Sequence, residues 1–415
     1  MKLRQKAVVA GIVLTLAGVT SACSSAASGG SAASPAGASA KADIPVGVIG
    51  SYSGPQSSTF TSSRETMQAW ADSVNATGGI DGHQVRLYIE DDAGDIAKSL
   101  TEVKSLVQQD HVVAIVGQSV GNAAAFQSYV DSAGVPVIGG NPQSTPYLTD
   151  PNWFAIGGNE VASFYGIAAA AKQTGAKLGN LYCAELPACA ATQTLLQGFG
   201  GPLGLSVSYS SKVSASAPDF TAVCQGLIRS GVQSYTLGLG AATLKQVASQ
   251  CQQQGIKAKL ILSDVADSTF TSDPQFNGIE VVDDIFPFFD ESTPATKAFH
   301  AALKKYAPSV GTPALPLNSQ AAAAWASGEL FETAVRGGGT GPVTSASVKK
   351  GLYSLKGDTL GGLTAPLTFT QGKPTNYNCS WLYEIKNGAF AAPNGTQATC
   401  ASTAVIDPVI AELGK

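Results

Sequence analysis

The stretch from Val112 to Ser144, VVAIVGQSVGNAAAFQSYVDSAGVPVIGGNPQS, constrains this chain more than any other. An apolar run, Val112 to Val116, stops at Gly117. Helix-compatible residues follow from Asn122 to Ala133, and a second apolar run, Val135 to Ile138, stops at Gly139 and Gly140. Strand, helix and strand joined by a crossover of this length leave the strands parallel and the connection right-handed. The two polar loops, Gln118-Ser119-Val120-Gly121-Asn122 and Asn141-Pro142-Gln143-Ser144, therefore leave the same sheet edge, which in open parallel sheets is where small ligands bind. Neither loop carries a protonatable catalytic group. They offer amides, hydroxyls and backbone N–H groups, equipment for holding a molecule.

The flanking segments continue that order. Ile44–Gly50 is a short strand ending in the loop Ser51 to Pro55, and the helix after it carries Met67, Trp70, Ala71 and Val74 as an apolar stripe. Val85–Glu90 alternates as a strand, Glu90-Asp91-Asp92 forms its solvated acidic end, and Ile96–Gln109 is helical. The first part thus reads β-α-β-α-β-α-β, an α/β domain with a parallel sheet. The logic then starts again. Helices at Ser163–Thr174, Cys189–Phe199, Phe220–Ser230 and Ala241–Gly255 alternate with strands at Lys177–Tyr182, Leu205–Ser210, around Tyr235, and Leu260–Leu262. After Glu280–Pro287 the chain returns to helices at Ala295–Tyr306 and Asn318–Gly337. Two α/β units in series, each with its own sheet, make a two-lobed molecule; no exact internal repeat is visible.

Charged residues make up only 13% of the chain and the net charge is −4, which speaks against a nucleic-acid surface. The N-terminus reads as an export signal: Lys2, Arg4 and Lys6, then an apolar core from Ala7 to Val19 too short to span a bilayer. Thr20-Ser21-Ala22-Cys23 resembles a bacterial lipobox, with Thr20 where that pattern usually has leucine, so residues 1–23 are a signal ending at a lipidated Cys23. Residues 24–43, mostly Ser, Ala and Gly, form a flexible tether. Six cysteines remain, an even count that in an exported chain points to disulfides. Local order favours neighbours: Cys183–Cys189 around a short loop, Cys224–Cys251 on successive helices, and Cys379–Cys400 flanking a hairpin. The rival reading, a metal site, lacks a CxxC or a Cys/His cluster, and no metal is expected. His83, His111 and His300 lie on unrelated segments without a nucleophile beside them, and there is no G-x-S-x-G elbow. An enzyme is therefore not expected, and no cofactor.

VGVIGSYSGP, NATGGIDGHQVRLYIEDDAGD, VVAIVGQSVGNAAA, GVPVIGG and WLYEIKNGAF, in this order and spacing, resemble type I periplasmic solute-binding proteins. Among these the nearest likeness is to the branched-chain amino acid (Leu/Ile/Val) receptors of ABC transporters, and it covers Ile44 to Ala401. The resemblance implies two Rossmann-like lobes with parallel central sheets joined by three hinge crossovers. One lobe would hold residues 44–157 and 287–356, the other 158–286 and 357–415. It implies a monomer that closes on a small-molecule ligand, is held at the outer face of the membrane by lipid on Cys23, and delivers to the permease subunits of an importer.

In such relatives hydroxyls and backbone N–H groups of the first lobe hold a ligand carboxylate. The matching positions are Gln118, Ser119, Gln143 and Ser144, with Tyr52 and Ser53 at the end of the first strand. An anion would suit a helix start capped by Asn122. The ammonium of an amino acid meets an acid after a second-lobe strand, which matches Asp264 in LILSDVADS, with Asp267 as the alternate. Either aspartate reads equally as a helix cap. Glu185, in the loop between Cys183 and Cys189, and Leu239, in Gly238-Leu239-Gly240-Ala241-Ala242, complete the second wall. Relatives carry larger side chains in that last loop, and the small residues make room for a bulkier ligand.

Overall fold

The computed structural model describes residues 41–413 except 186, 264, 265 and 376. Two sheets dominate. In the first, β1 (Ile44–Gly50), β2 (Val85–Asp91), β3 (Ala114–Gln118), β4 (Val137–Gly140) and β5 (Trp153–Phe154) are all parallel and lie in the order β2-β1-β3-β4-β5. Every residue of β3 and β4 is buried, as expected for apolar strands covered on both faces by crossover helices. These helices are α1 (Ser57–Ala76), α2 (Ile96–Gln108) and α3 (Ala124–Ala133), followed by the short α4 (Pro146–Thr149).

The second sheet repeats the plan. β6 (Lys177–Cys183), β7 (Ser206–Val213), β8 (Ser234–Gly238), β9 (Lys259–Leu262) and β10 (Glu280–Asp283) are parallel, in the order β10-β9-β8-β6-β7. Read from its own first strand, this is the same 2-1-3-4-5 order as in the first sheet, a repeat in topology that the sequence does not display. Antiparallel β11 (Cys379–Lys386) pairs with β10, and β12 (Ala389–Ala391) and β13 (Thr399–Cys400) pair with β11. The flanking helices are α5 (Glu160–Thr174), α6 (Ala191–Leu203), α7 (Thr221–Arg229) and α8 (Ala241–Gln253). The chain then returns to the first sheet through α9 (Pro294–Tyr306), α10 (Ser319–Gly338) and α11 (Ser345–Ser354), where α10 packs on β3, β4 and α1. A last helix, α12 (Thr403–Leu413), lies against α5 and α6.

The chain thus passes between the sheets after β5, after β10 and before β11, and the three passes are tied together. The Gly158 N–H donates to the Asp284 carbonyl at 2.8 Å, and the Asn159 N–H to the Tyr377 carbonyl at 3.3 Å. Asn159 also caps α5 through its side chain, accepting from the Ala162 N–H. Close backbone approach dictates the glycine: a Cβ on Gly158 would sit 2.0 Å from the Cys379 carbonyl oxygen. Phe288, Phe289, Tyr383 and Phe390 stack edge-to-face and in parallel just beyond the second pass, giving it a rigid apolar footing.

All three neighbouring disulfides form, Cys183–Cys189, Cys224–Cys251 and Cys379–Cys400. No helix among the described residues is long and apolar enough to cross a membrane.

Candidate functional site

In an open parallel sheet of this order the crevice lies beyond the carboxyl ends of the strands, where successive connections part to opposite faces. In the first sheet that switch point falls between β1 and β3; in the second, between β6 and β8. Tyr52, Ser53 and Ser119 follow the strands at the first of these, Gln118 ends β3 there, Gln143 and Ser144 follow the neighbouring β4, and Glu185 and Leu239 follow the strands at the second.

At the end of β1 the backbone turns on two carboxylates. Asp91 accepts from the Tyr52 and Ser53 N–H groups at 2.9 and 3.2 Å and from the Ala93 N–H at 2.9 Å. Burial works against its charge, but the hydrogen bonds from Ser53, Ala93 and Tyr52 outweigh that and hold the carboxyl below its ordinary range. Asp92, fully buried, accepts from the Ser51 and Ser99 hydroxyls and the Gly94 N–H. The acidic strand end expected to be solvated instead shapes the loop that carries Tyr52 and Ser53. Tyr52 itself is buried. Burial pushes its pKa well above the ordinary value, an effect that Arg64 and the nearby Ser63 only soften, and its hydroxyl makes no hydrogen bond of good geometry among the described residues. That is a donor kept dry at the mouth of the switch point.

β3 runs one residue past the expected stop at Gly117, so Gln118 is a strand residue and not the start of a loop. Its buried amide reaches across to the second loop, donating to the Ser144 hydroxyl at 3.0 Å and the Asn141 carbonyl at 3.3 Å. Gln118 and Ser144 are thereby brought together. The two strand ends approach closely enough to need Gly140 at φ 103°, because a Cβ there would lie 2.1 Å from the Gln118 carbonyl oxygen. Ser119 is buried, and its hydroxyl receives that of Ser63 on α1 at 2.8 Å. The Gln143 amide donates to Asp284 Oδ2 at 3.1 Å, which links the first wall to the second pass between the sheets. Asn122 does not cap α3. The helix starts at Ala124, its cap position is Ala123, and no side chain bonds there, because the preceding turn keeps Asn122 outside the first helical turn.

At the second switch point β6 ends in Cys183 and β8 in Gly238. Glu185 is exposed and fastens one loop to the next, accepting from the Ala215 N–H at 2.7 Å and the Ser214 hydroxyl at 2.9 Å; these bonds, the backbone one first, lower its pKa. Leu239 is buried among core residues just before α8. Asp264 lies outside the described residues. Its alternate, Asp267, takes the capping role, accepting from the Thr269 N–H at 2.8 Å, with Lys245 3.9 Å away.

Two acids at the second pass lie outside the residues expected from the sequence. Asp283 and Asp284 are both fully buried. Asp283 accepts from the backbone N–H groups of Asp284 and Ile285, from the Tyr383 hydroxyl at 3.0 Å and from the Ser319 hydroxyl at the start of α10. These donors satisfy its carboxyl oxygens where water is excluded. Two acids inside the apolar run VVDDIFPFF are the signal that could have revealed them.

A molecule with two sheets whose parallel strands share one order, tied by three passes and carrying hydroxyls and amides at the first switch point, has the architecture in which small ligands bind beyond the strand ends. The family model described as "Periplasmic binding protein" matches residues 43–389, and the chain belongs to that family. An "Amino acid binding protein" of Pseudomonas aeruginosa is 32% identical over 113 residues, 27% of this chain and 29% of that protein. "Leu/Ile/Val-binding protein homolog 7" of Brucella abortus is 34% identical over 100 residues, 24% of this chain and 25% of its own length. The matched stretch thus spans under a third of either relative. Among solved structures, a branched-chain amino acid ABC transporter protein from Thermus thermophilus with bound valine superposes with a TM-score of 0.76 at 14% identity, covering 89% of this chain and 98% of its own. A fatty acid ABC transporter substrate-binding protein from Thermomonospora curvata superposes with a TM-score of 0.73 at 18% identity, covering 87% and 93%. At these identities the likeness shows the type I periplasmic binding fold. Membership of the family indicates an extracytoplasmic place for the chain.

Proposed function

We propose that this protein is the substrate-binding lipoprotein of an ABC importer, which captures an amino acid or a related small polar molecule in the crevice between its two sheets and closes on it. The observation that carries this reading is the pairing of like switch points in two sheets of one order, the first of them carrying hydroxyls and amides. Tyr52, Ser53, Gln118, Ser119, Gln143 and Ser144 form the first wall; Glu185, Leu239 and Asp264 belong to the second. The names of the relatives, an amino acid binding protein and Leu/Ile/Val-binding homologues, support the ligand class. Closure is thermodynamic: the ligand binds the closed state better and shifts the open–closed equilibrium toward it. Lipid on Cys23 and the tether of residues 24–43 keep the receptor, acting as a monomer, beside its permease subunits.

One feature favours a bulkier or more apolar ligand as a second reading. A Cβ on Gly240 would meet nothing within 4 Å, and on Gly238 nothing nearer than 3.8 Å, so the loop after β8 leaves space. The fold shared with a fatty acid transporter's binding protein accords with that.

Calorimetry against a panel of amino acids, short peptides and fatty acids, paired with small-angle scattering, tests both readings. The expected result is micromolar or tighter binding by one class together with a smaller radius of gyration. A panel in which nothing binds and nothing contracts the molecule would sink the receptor reading.

A further inference from the structure

The connection that leaves β6 at the second switch point is closed on itself by a covalent bridge. β6 ends at Cys183, and its bond to Cys189 closes a loop of sequence separation 6, against 27 for Cys224–Cys251 and 21 for Cys379–Cys400. So short a loop restricts the unfolded chain least of the three, so its contribution to global stability is the smallest on that account. Its place gives it a local task. α6 begins without a side-chain cap, and the Thr192 hydroxyl, donating to the Cys189 carbonyl at 2.8 Å, is what ties the helix start to the bridged loop. Within the loop, Glu185 grips Ser214 and Ala215, while the Ala184 N–H donates to the Val213 carbonyl at 2.9 Å. Fastening one loop therefore fastens the next, and the first of them leaves the carboxyl end of β6 at the switch point.

We propose that the Cys183–Cys189 disulfide is a positioning element of the second wall: it orders the connections after β6 and β7 before the solute arrives, and so makes solute affinity sensitive to thiol reduction. The proposal rests on reading this crevice as the solute site. A loop already ordered loses less conformational entropy on binding, and reduction returns that cost to the binding step. Both cysteines are partly exposed, whereas Cys224 and Cys251 are fully buried, so a reductant reaches this bridge more readily than that one.

The test uses the full chain and its C183S/C189S double variant, with C224S/C251S as the comparison. Without ligand, amide exchange across residues 184–190 and 213–216 should quicken in C183S/C189S while the thermal midpoint falls less than in C224S/C251S. Affinity for whichever panel solute the unaltered protein binds should weaken by about tenfold. If the variant fails to fold, stepwise reduction of the unaltered protein, with alkylation mapping which bridge is open, gives the same readouts. Unchanged exchange in the two loops, or affinity within about twofold of the parent, overturns the proposal. If the unaltered protein binds no solute, the receptor reading fails, and the ligand-free exchange still decides whether the bridge orders these loops.

Discussion

Glu329 sits within α10, where Gly328 packs against Trp70. Burial, with Glu332 close by, pushes its pKa up to about 7. In the unfolded chain the same carboxyl ionises near its ordinary value, so between about pH 4.5 and 7 the unfolded state releases a proton that the folded state keeps. Stability should therefore fall as pH rises through that window. Glu329→Gln should remove the fall, stabilising the protein at pH 8 by up to about 3 kcal/mol and hardly at all at pH 4. Chemical denaturation at the two pH values checks this; equal effects at both would show that ionisation of Glu329 is not the cause. Asp264 carries the sharper functional claim. If it faces an ammonium group, Asp264→Ala should weaken an amino-acid ligand by roughly 2–5 kcal/mol, and calorimetry giving less than about 0.5 kcal/mol would remove it from the site. At this scale the sequence was partly legible. Polar residues that follow an apolar run, such as Ser119 and Ser144, announce a strand end whatever their partners. What Gln118 or Glu185 bonds to depends on residues 26 or 29 positions away, which local pattern does not encode, whereas Asp267 caps the turn at Thr269 two residues on, a role the sequence does offer.

At the level of elements, Val112–Ser144 gave the strand-helix-strand unit, because a buried parallel strand leaves a continuous apolar run and its crossover helix a polar one. The same signal marked β1, β2, β6, β8 and β9. It missed β5 and β13, two residues each and too short to carry a period, and it missed α11 and α12. Strand order was beyond it altogether, since order follows from which edge each new strand joins. The passes between the sheets are the elements with the tightest steric demand. Asp284 and Cys379 carbonyls lie where side chains on Gly157 and Gly158 would go, at 2.2 and 2.0 Å. Backbone cannot swing aside as a long side chain can, so Gly158→Ala should destabilise by about 1–3 kcal/mol. It should also change apparent solute affinity, because on the proposed closure the strain falls on the segment that would rotate. Thermal melts and calorimetry measure the two effects, and an alanine variant as stable as the parent would mean that the passes are looser than these distances imply.

For the molecule as a whole, the proposed function needs two walls acting as one: the first would offer Tyr52, Gln118, Ser119 and Ser144, and the second the loops after β6 and β8, on a different sheet. A ligand that touched a single wall equally in the open and closed states could not drive closure, however tightly it bound, because only differential affinity moves an equilibrium. Moving the population from almost wholly open to almost wholly closed requires about 10⁴-fold preference for the closed state. Contacts on both walls, made together only on closing, are the source of such a preference. Hydrogen exchange with and without solute should therefore show protection rising together at residues 118–120 and 141–144 of the first wall, and at 183–185 and 238–240 of the second. Residues 157–159 and 284–285, in the passes, should respond in step, and the opposite strand ends, such as 44–46 and 177–179, should not. Protection confined to one sheet would mean that the solute docks on a single wall, and closure would then need another cause.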